Sequence, residues 1–303
     1  MLLSVLIPVY KHHPERLLEE LAAQLAYLGE GAVEVLVGDD SADEQASNWH
    51  NNYSTSTHPW LRIYRHAQNL GRSKARNFLI ERASGRYLWF LDGDVTLPGG
   101  LLAAYLEKLS ETPAVWCSGI ACPNDAIDNL RNWYTRQIET KGAAERNKAP
   151  YRSFSAANFA MPLAFAEKVK FPENHGGYGH EDTHFGLQLL EAGFQVHHFD
   201  GPVWHASDES DKVYLEKVRD SVANLALLYH TERLFQKHRS EIKLIRIWEP
   251  LSAVGFAFFA SMLTPLFERQ LLKGKRSLRV LNLYKLGWFD RYFRTGRRTN
   301  TPS

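Results

Sequence analysis

The chain has 303 residues, enough for one large α/β domain or for a core of about 200 residues with an appendage, and the second arrangement is the expectation. Hydrophobic residues at 44% and aromatics at 12% allow a substantial buried core and exclude global disorder. Net charge is only +2, but between Arg269 and Arg298 ten Lys or Arg face the single acid Asp290, so this segment carries +9 and the rest −7.

Met1 leads at once into an apolar run of strand length, Leu2 to Val9. No basic leader, long apolar region or small-residue cleavage site precedes it, and a cytoplasmic start is expected. Pro14 opens a helix with Leu17, Leu18, Leu21, Leu25 and Leu28 on its apolar face, and Gly29 stops it. Val33 to Val37 is a second buried strand, closing in Gly38-Asp39-Asp40. Leu61 to Tyr64 is a third, followed by a polar loop at Asn69 to Ser73 and a helix from about Lys74 to Ala83. Tyr87 to Leu91 is a fourth strand, ended abruptly by Asp92-Gly93-Asp94. The two cysteines, Cys117 and Cys122, lack CxxC spacing and a set of histidines, and read as reduced core thiols. Residues 123–150 are polar and poorly periodic, and Ser155 to Met161 returns as a strand that sets Asn158 near the crevice or in a turn hydrogen bond.

Strands alternating with helices at this spacing predict a mainly parallel sheet with right-handed crossovers. Such sheets bind ligands at the carboxyl ends of their strands. The acidic pairs 39/40 and 92/94 both fall at that edge, after different strands, and so face one crevice. A dinucleotide-binding fold is disfavoured because the turn after the first strand reads Pro8-Val-Tyr-Lys-His-His, without GxGxxG. With no phosphate-binding P-loop either, a nucleotide's diphosphate needs another counter-charge, which a metal on the carboxylates supplies.

From residue 2 to about 225 the chain resembles the GT-A glycosyltransferases, specifically family 2. The resemblance rests on motifs in the right order: LIPVY at 6–10, GDDS at 38–41, NLGRSKARN at 69–77, FLDGD at 90–94, GYGHED at 177–182 and VWH at 203–205. It implies a mainly parallel α/β sheet flanked by helices over 1–225, with a nucleotide-sugar half at 1–122 and an acceptor half at 123–225. A helical, basic, amphipathic appendage fills 226–303. The implied activity is inverting, metal-dependent transfer of a sugar from a nucleotide-diphosphate donor, expected to be UDP-linked, to a hydroxyl of a glycan or glycolipid in bacterial cell-surface synthesis. A silent sugar-nucleotide-binding scaffold is the competing reading; it would have lost Asp94 or Asp182, and both are present. A sugar-phosphate nucleotidyltransferase would need a GxGTR-like turn after the first strand, and none appears.

Asp94 is the expected ligand of Mn²⁺ or Mg²⁺, because a hard cation takes carboxylate oxygen and the donor's diphosphate supplies the rest. By resemblance Asp92 contacts the ribose or a metal-bound water, and Pro8, Tyr10 and Gly93 belong to the donor site. His205 matches a metal-binding position, unless Trp204 buries it against the sheet; with it the mixed ligand set suits Mn²⁺ better. Asp40 stands where family members accept the uracil imide N–H and Asp39 braces the loop, or both cap a helix at Ser41-Ala42-Asp43-Glu44. Arg76 reads as a brace for the acidic pocket and Arg72 as a weaker donor contact; cations at a helix start hint at an anionic partner. Asp182 is the implied catalytic base, and Glu181 binds acceptor or orients the loop. Locally, both acids also stabilise the first turn of a helix at 182–192 that Gly193 ends. Gly176-Gly177-Tyr178-Gly179 reads as a flexible loop, with Tyr178 as a sugar platform or a packing residue.

Leu251 to Phe267 is a seventeen-residue stretch without a charge. It is short of the ~20 residues a spanning helix needs, and Gly255 and Pro265 interrupt it. Lys273, Lys275, Arg276 and Arg279 follow, then Leu278, Leu281, Leu283, Leu286, Trp288, Phe289, Tyr292 and Phe293 mixed with Lys285, Arg291 and Arg294. This mixture predicts peripheral attachment at the anionic inner face of the cell membrane rather than nucleic-acid binding, which does not call for so many bulky apolar residues. Packing on the catalytic domain, or a homodimer interface, is the alternative.

Overall fold

The computed structural model describes residues 2–27, 31–42, 48–53, 56–173 and 177–296. Strands β1 (Leu3–Val9) and β2 (Val33–Asp39) are buried along almost their whole length because helices cover both faces of their sheet. After β1 comes helix α1 (Glu15–Leu25); Leu28 and Gly29 lie outside the described residues. β3 (Leu61–Arg65), α2 (Arg72–Ile80), β4 (Tyr87–Leu91), α3 (Leu101–Glu111), β5 (Val115–Cys117) and β6 (Ile120–Ala121) follow. The polar stretch 123–150 holds α4 (Leu130–Tyr134), which runs into a π-helical turn at Thr135–Glu139, and α5 (Ala143–Arg146). Then come β7 (Asn158–Pro162), α6 (Glu181–Glu191), β8 (Val196–His198) and β9 (Val203–Trp204). The rest is helical: α7 (Asp211–Thr231), α8 (Arg233–Lys237), α9 (Lys243–Ala253), α10 (Phe256–Met262), α11 (Thr264–Leu272) and α12 (Leu278–Thr295).

The seven-stranded sheet has the order β3-β2-β1-β4-β7-β5-β8, parallel except for β7, which runs against β4 and β5. β6 and β9 form a separate parallel pair. The two-residue period of a strand divides the core: Val5, Ile7, Val35 and Trp89 meet α1 and α3 on one face, while Leu6, Leu36, Leu88 and Phe90 meet α2 and α6 on the other. Gly193 follows α6 at φ +72°, the left-handed stop expected of it.

A third core joins α7 to the C-terminal helices through Leu215, Val222 and Leu225 on one side and Ile245, Trp248, Leu281 and Phe289 on the other. Asp290, the one acid of the basic segment, is buried here and accepts from Trp248 Nε1 at 3.1 Å and Arg294 Nε at 2.7 Å. α7 runs unbroken through the expected boundary at 225/226. The leucines and aromatics of α12 are largely spent on this core, since Leu281, Leu286 and Phe289 are buried and Leu283, Trp288, Tyr292 and Phe293 pack against them. They do not form the lipid-facing row that their spacing suggests.

The uncharged stretch is cut where its breakers stand: Gly255 takes φ +75° between α9 and α10, and Pro265 sits in the first turn of α11. Among the described residues no single helix is long and apolar enough to span a bilayer; α9 and α10 have the length and composition only when taken together, and they are bent by 104°.

Candidate active site

Sequence places both acidic pairs where parallel strands end. β4 stops at Leu91, and the Asp92-Gly93-Asp94 turn lies over the end of β1, so tightly that a Cβ on Gly93 would stand 2.9 Å from Val9 Cγ2 and 3.3 Å from the Pro8 carbonyl oxygen. Gly93 is required for this approach and not for a left-handed turn, since its φ is not positive. Pro8 thus forms the floor of the turn, and Tyr10 stands exposed just beyond the strand end.

Thr96 and Trp204 exchange backbone hydrogen bonds at 2.8 and 2.9 Å, which carries His205 to the same turn. His205 Nε2 lies 3.2 Å from Asp94 Oδ2. Trp204 is 40% exposed, and the His205 side chain keeps 18% of its surface open beside Asp94. Partial loss of hydration works to raise the Asp94 pKa, but the hydrogen bond and charge of His205, helped by His12, hold it at about 2. Against its own desolvation the His205 pKa is raised by Asp94 in return. A permanently ionised, half-exposed carboxylate beside an imidazole offers two ligands to a divalent cation. Among the described residues no group of three or more His, Cys, Asp or Glu converges, so these two fit a metal only if a bound diphosphate completes its shell.

Arg76, buried on α2, donates from Nη2 to Asp92 Oδ1 at 2.6 Å and holds Nη1 4.0 Å from Glu181 Oε1. Arg72 Nη1 lies 3.4 Å from the same Glu181 oxygen, and its guanidinium stacks over the Tyr178 ring, 5.4 Å from the centroid. The anionic partners that these cations call for at the start of α2 are therefore, in part, Asp92 and Glu181. Arg76 joins the strand-end turn to the first residue of α6. Burial opposes ionisation of Glu181, yet Arg72 and Arg76 keep its pKa below the usual carboxylate range. Asp182 goes the other way: burial, reinforced by the charge of Glu181, pushes it up to about 6.

The loop before α6 is tethered rather than loose. A Cβ on Gly177 would meet Asn224 at 2.9 Å and one on Gly179 would meet Ser221 Oγ at 2.9 Å, so both glycines let the loop lie on α7. Asn224 Nδ2 donates to the Gly179 carbonyl at 2.7 Å, and Ser221 Oγ lies 3.1 Å from His180 Nε2. His180 takes φ +69°, a left-handed conformation uncommon outside glycine, and aims Glu181 and Asp182 into the cleft. Gly176 lies outside the described residues. Tyr178 is 40% exposed with one face given to Arg72.

Asp40 also braces a loop: its oxygens accept from the backbone N–H of Leu70 at 2.6 Å and Gly71 at 2.8 Å, and His66 Nδ1 is 3.1 Å away. Asp39 Oδ1 accepts from Ser41 N–H at 2.9 Å, so both acids hold backbone; the helix expected at Asp43-Glu44 lies outside the described residues. Asn158 is a correction. It is not at the crevice but fully inside the core, accepting from Trp89 Nε1 and Tyr105 Oη and donating to Ser118 Oγ and the Gly119 carbonyl. Within the polar stretch 123–150, sequence reasoning did not name Arg131 and Glu139, which line the cleft beside Asp182 together with Tyr134; Arg131 pairs with Glu139 at 2.7 Å across the π-helical turn.

Residues 4–163 match the model of Glycosyl transferase family 2. The chain belongs to that family. As a family 2 glycosyltransferase it resembles the teichoic acid poly(glycerol phosphate) polymerase of Staphylococcus epidermidis, at 28% identity over 130 residues; these are 41% of this chain and only 17% of that one. The mannosyltransferase PcManGT from Pyrobaculum calidifontis, solved in complex with GDP-Man and Mn²⁺, has a similar fold, with a TM-score of 0.61 and 16% identity over 98% of this chain and 88% of that one. S. aureus TarS gives a TM-score of 0.52 at 18% identity over 97% of this chain and 54% of that structure. The fold is GT-A, with a helical C-terminal region, and the chain is a glycosyltransferase.

Proposed function

We propose that this transferase moves a sugar, with inversion, from a nucleotide-diphosphate donor to an acceptor hydroxyl in cell-surface glycan or glycolipid synthesis. UDP is the favoured nucleotide. The observation that carries the reading is the Arg76 bridge, which ties the Asp92-Gly93-Asp94 turn to Glu181-Asp182. In this reading the donor lies along the strand ends, with Pro8, Tyr10, Asp40, Asp92 and Gly93 around its nucleoside and Asp94 and His205 holding Mn²⁺ or Mg²⁺. The cation, when bound, neutralises the diphosphate as it leaves. Arg72 and Arg76 add positive charge on the same side, and the buried Nε and Nη1 of Arg76 have no hydrogen-bond partner among the described residues. Asp182, with a pKa of about 6, is ionised at neutral pH yet basic enough to take a proton. It accepts the proton of the attacking hydroxyl; the acceptor oxygen forms its bond to C1, and the electron pair of the broken C1–O bond leaves with the nucleoside diphosphate.

The test is hydrolysis of a panel of nucleotide sugars with Mn²⁺ or Mg²⁺, which needs no acceptor. Asp94→Ala and EDTA should each abolish turnover and metal-dependent UDP binding. Full activity of Asp94→Ala in chelated buffer would sink the metal-assisted reading.

We place the enzyme at the anionic inner face of the membrane. α10 buries its small residues Ala257, Ala260 and Ser261 and exposes Phe256, Phe258, Phe259 and Met262, at 44%, 51%, 58% and 60%. The inversion is set by α12, where a Cβ on Gly287 would meet the Ala260 carbonyl oxygen at 2.7 Å. Large rings facing outward, in a helical region that also exposes Lys273 and Lys275, suit a headgroup layer. Flotation of the full chain with anionic vesicles in low salt is expected, with loss in a Phe258→Ser/Phe259→Ser variant; a full chain that stays at the bottom of the gradient reassigns the exposed face of α10 to self-association.

A further inference from the structure

Two buried amides that the transfer chemistry does not use stand behind His205. Asn129 and Asn132, 7% and 1% exposed, lie three residues apart at the start of α4, against the segment that leaves β9. An amide side chain donates and accepts at once, so it can pair with a backbone N–H and C=O as another strand would. Asn132 does this with Ser207: its Oδ1 accepts from the Ser207 N–H at 2.9 Å and its Nδ2 donates to the Ser207 carbonyl at 3.0 Å. The same Nδ2 reaches the Ile127 carbonyl at 3.0 Å. Asn129 divides its two ends between helix and segment. Its Oδ1 caps α4 by accepting from the Asn132 N–H at 2.7 Å, while its Nδ2 donates to the carbonyls of Ser207 at 2.6 Å and Glu209 at 3.1 Å. Farther along the segment, Asp211 Oδ1 accepts from the Leu130 N–H at 2.6 Å.

Ser207 comes two residues after His205, and that decides what the clamp holds. His205 Nε2 lies 3.2 Å from Asp94 Oδ2, and among the described residues no hydrogen bond reaches its Nδ1. A metal-binding imidazole is usually oriented through that second nitrogen. Without such a bond, the ring is placed by the backbone on either side of it. On the N-terminal side, β9 pairs with β6 and with Thr96, and the His205 N–H donates to the Ala121 carbonyl at 2.9 Å. On the C-terminal side the chain leaves the sheet, and the first groups to hold it among the described residues are Asn129 and Asn132.

We propose that Asn129 and Asn132 are positioning residues for the metal site, fixing His205 against Asp94 by gripping the backbone two residues downstream. Without them the imidazole is tethered from one side only and meets the cation correctly for part of the time. The metal then binds more weakly, while the nucleotide's own contacts are unchanged. This rests on the metal-assisted reading above, and the test separates the two.

The probe is UDP with Mn²⁺, titrated calorimetrically into the full chain at a series of Mn²⁺ concentrations. Asn129→Ser is the first variant, because serine caps a helix about as well as asparagine and only the two hydrogen bonds to the segment are lost. The Mn²⁺ concentration for half-maximal UDP binding should rise ~10-fold, the lower end of what losing an outer-shell partner costs in metal affinity. Saturating Mn²⁺ should restore UDP binding to the parent's, which it would not do for a chain that had merely lost its fold. Asn132→Ala should act in the same direction; should it fail to fold, Asn129→Ser decides alone. In a His205→Ala background the Asn129→Ser effect should shrink to less than ~2-fold, because the route from amide to metal is gone. The full rise without His205, or an Asn129→Ser chain with the parent's metal requirement, overturns the proposal and leaves the transferase reading standing. Equal UDP binding by the unaltered chain in Mn²⁺ and in EDTA sinks the metal-assisted reading, and this inference with it.

Discussion

Asp182→Asn is expected to lower activity and raise stability together. Burial first, and the adjacent Glu181 charge second, carry this carboxyl from its ordinary 3.8 to about 6, which corresponds to about 3 kcal/mol for keeping it ionised in the folded chain. Between those two values the folded chain binds more protons than the unfolded one. The stability contributed by this group therefore falls as pH rises through the window, and the full cost is carried above about 6. The substitution keeps an oxygen for the Thr183 N–H, accepted now at 2.6 Å, and removes the charge. Around pH 8 the variant should be more stable by about 1–3 kcal/mol, a Tm rise of about 2–5 °C for a chain of this length. The advantage should vanish near pH 4, where the parent carboxyl is protonated as well. Turnover should fall by about 10²-fold or more with UDP affinity kept, and the parent rate should rise with pH through about 6. Thermal melts at three pH values, UDP calorimetry and a pH–rate profile check these points. Stability lost equally at every pH would make Asp182 a fold determinant, and UDP binding lost with activity would make it a donor ligand.

Gly93→Ala drives a Cβ to 2.9 Å from Val9 Cγ2 on a stiff strand, so a loss of about 1–3 kcal/mol and a displaced metal turn are expected. Melting together with Mn²⁺-dependent UDP calorimetry would show both, and wild-type UDP binding would mean that the turn accommodates the methyl. Asn158→Ala strips partners from the buried Trp89 and Tyr105 and from Ser118, and should cost about 2–4 kcal/mol in urea unfolding. A near-neutral result would show that these groups find one another without the amide.

Strands β1, β2 and β4 and the acidic turn after β4 were legible because an unbroken apolar run ending in Asp-Gly-Asp has few other foldings in an alternating chain. Asp94, His205, Arg76 and the Glu181-Asp182 pair could be named from ordered motifs, and the structure brings them to one edge. What a linear pattern does not carry is which polar side chain another element will cover. Asn158 looks like any residue at the foot of a strand, and only Tyr105 and Ser118, tens of residues away, make it a core hub. The glycines around Tyr178 suggested looseness, whereas Asn224 and Ser221 on a later helix turn them into a fitted contact. For α12, composition showed an amphipathic basic helix, but α7 takes up its apolar face and leaves the shorter α10 as the exposed one.

The place of β7 has a consequence for how the chain can be assembled or divided. It lies between β4 and β5 although it comes after both in the chain, so β5 and β8 reach the rest of the sheet only through it. A ribosome that has released only 1–122 would expose the hydrogen-bonding edge of β4, lined by Trp89 and Phe90, with nothing to pair it. Residues 1–122 are thus not a folding unit, and a fragment cut at 122 should aggregate. The shortest piece that closes its own central edge must extend past Pro162, and the family match ends at 163.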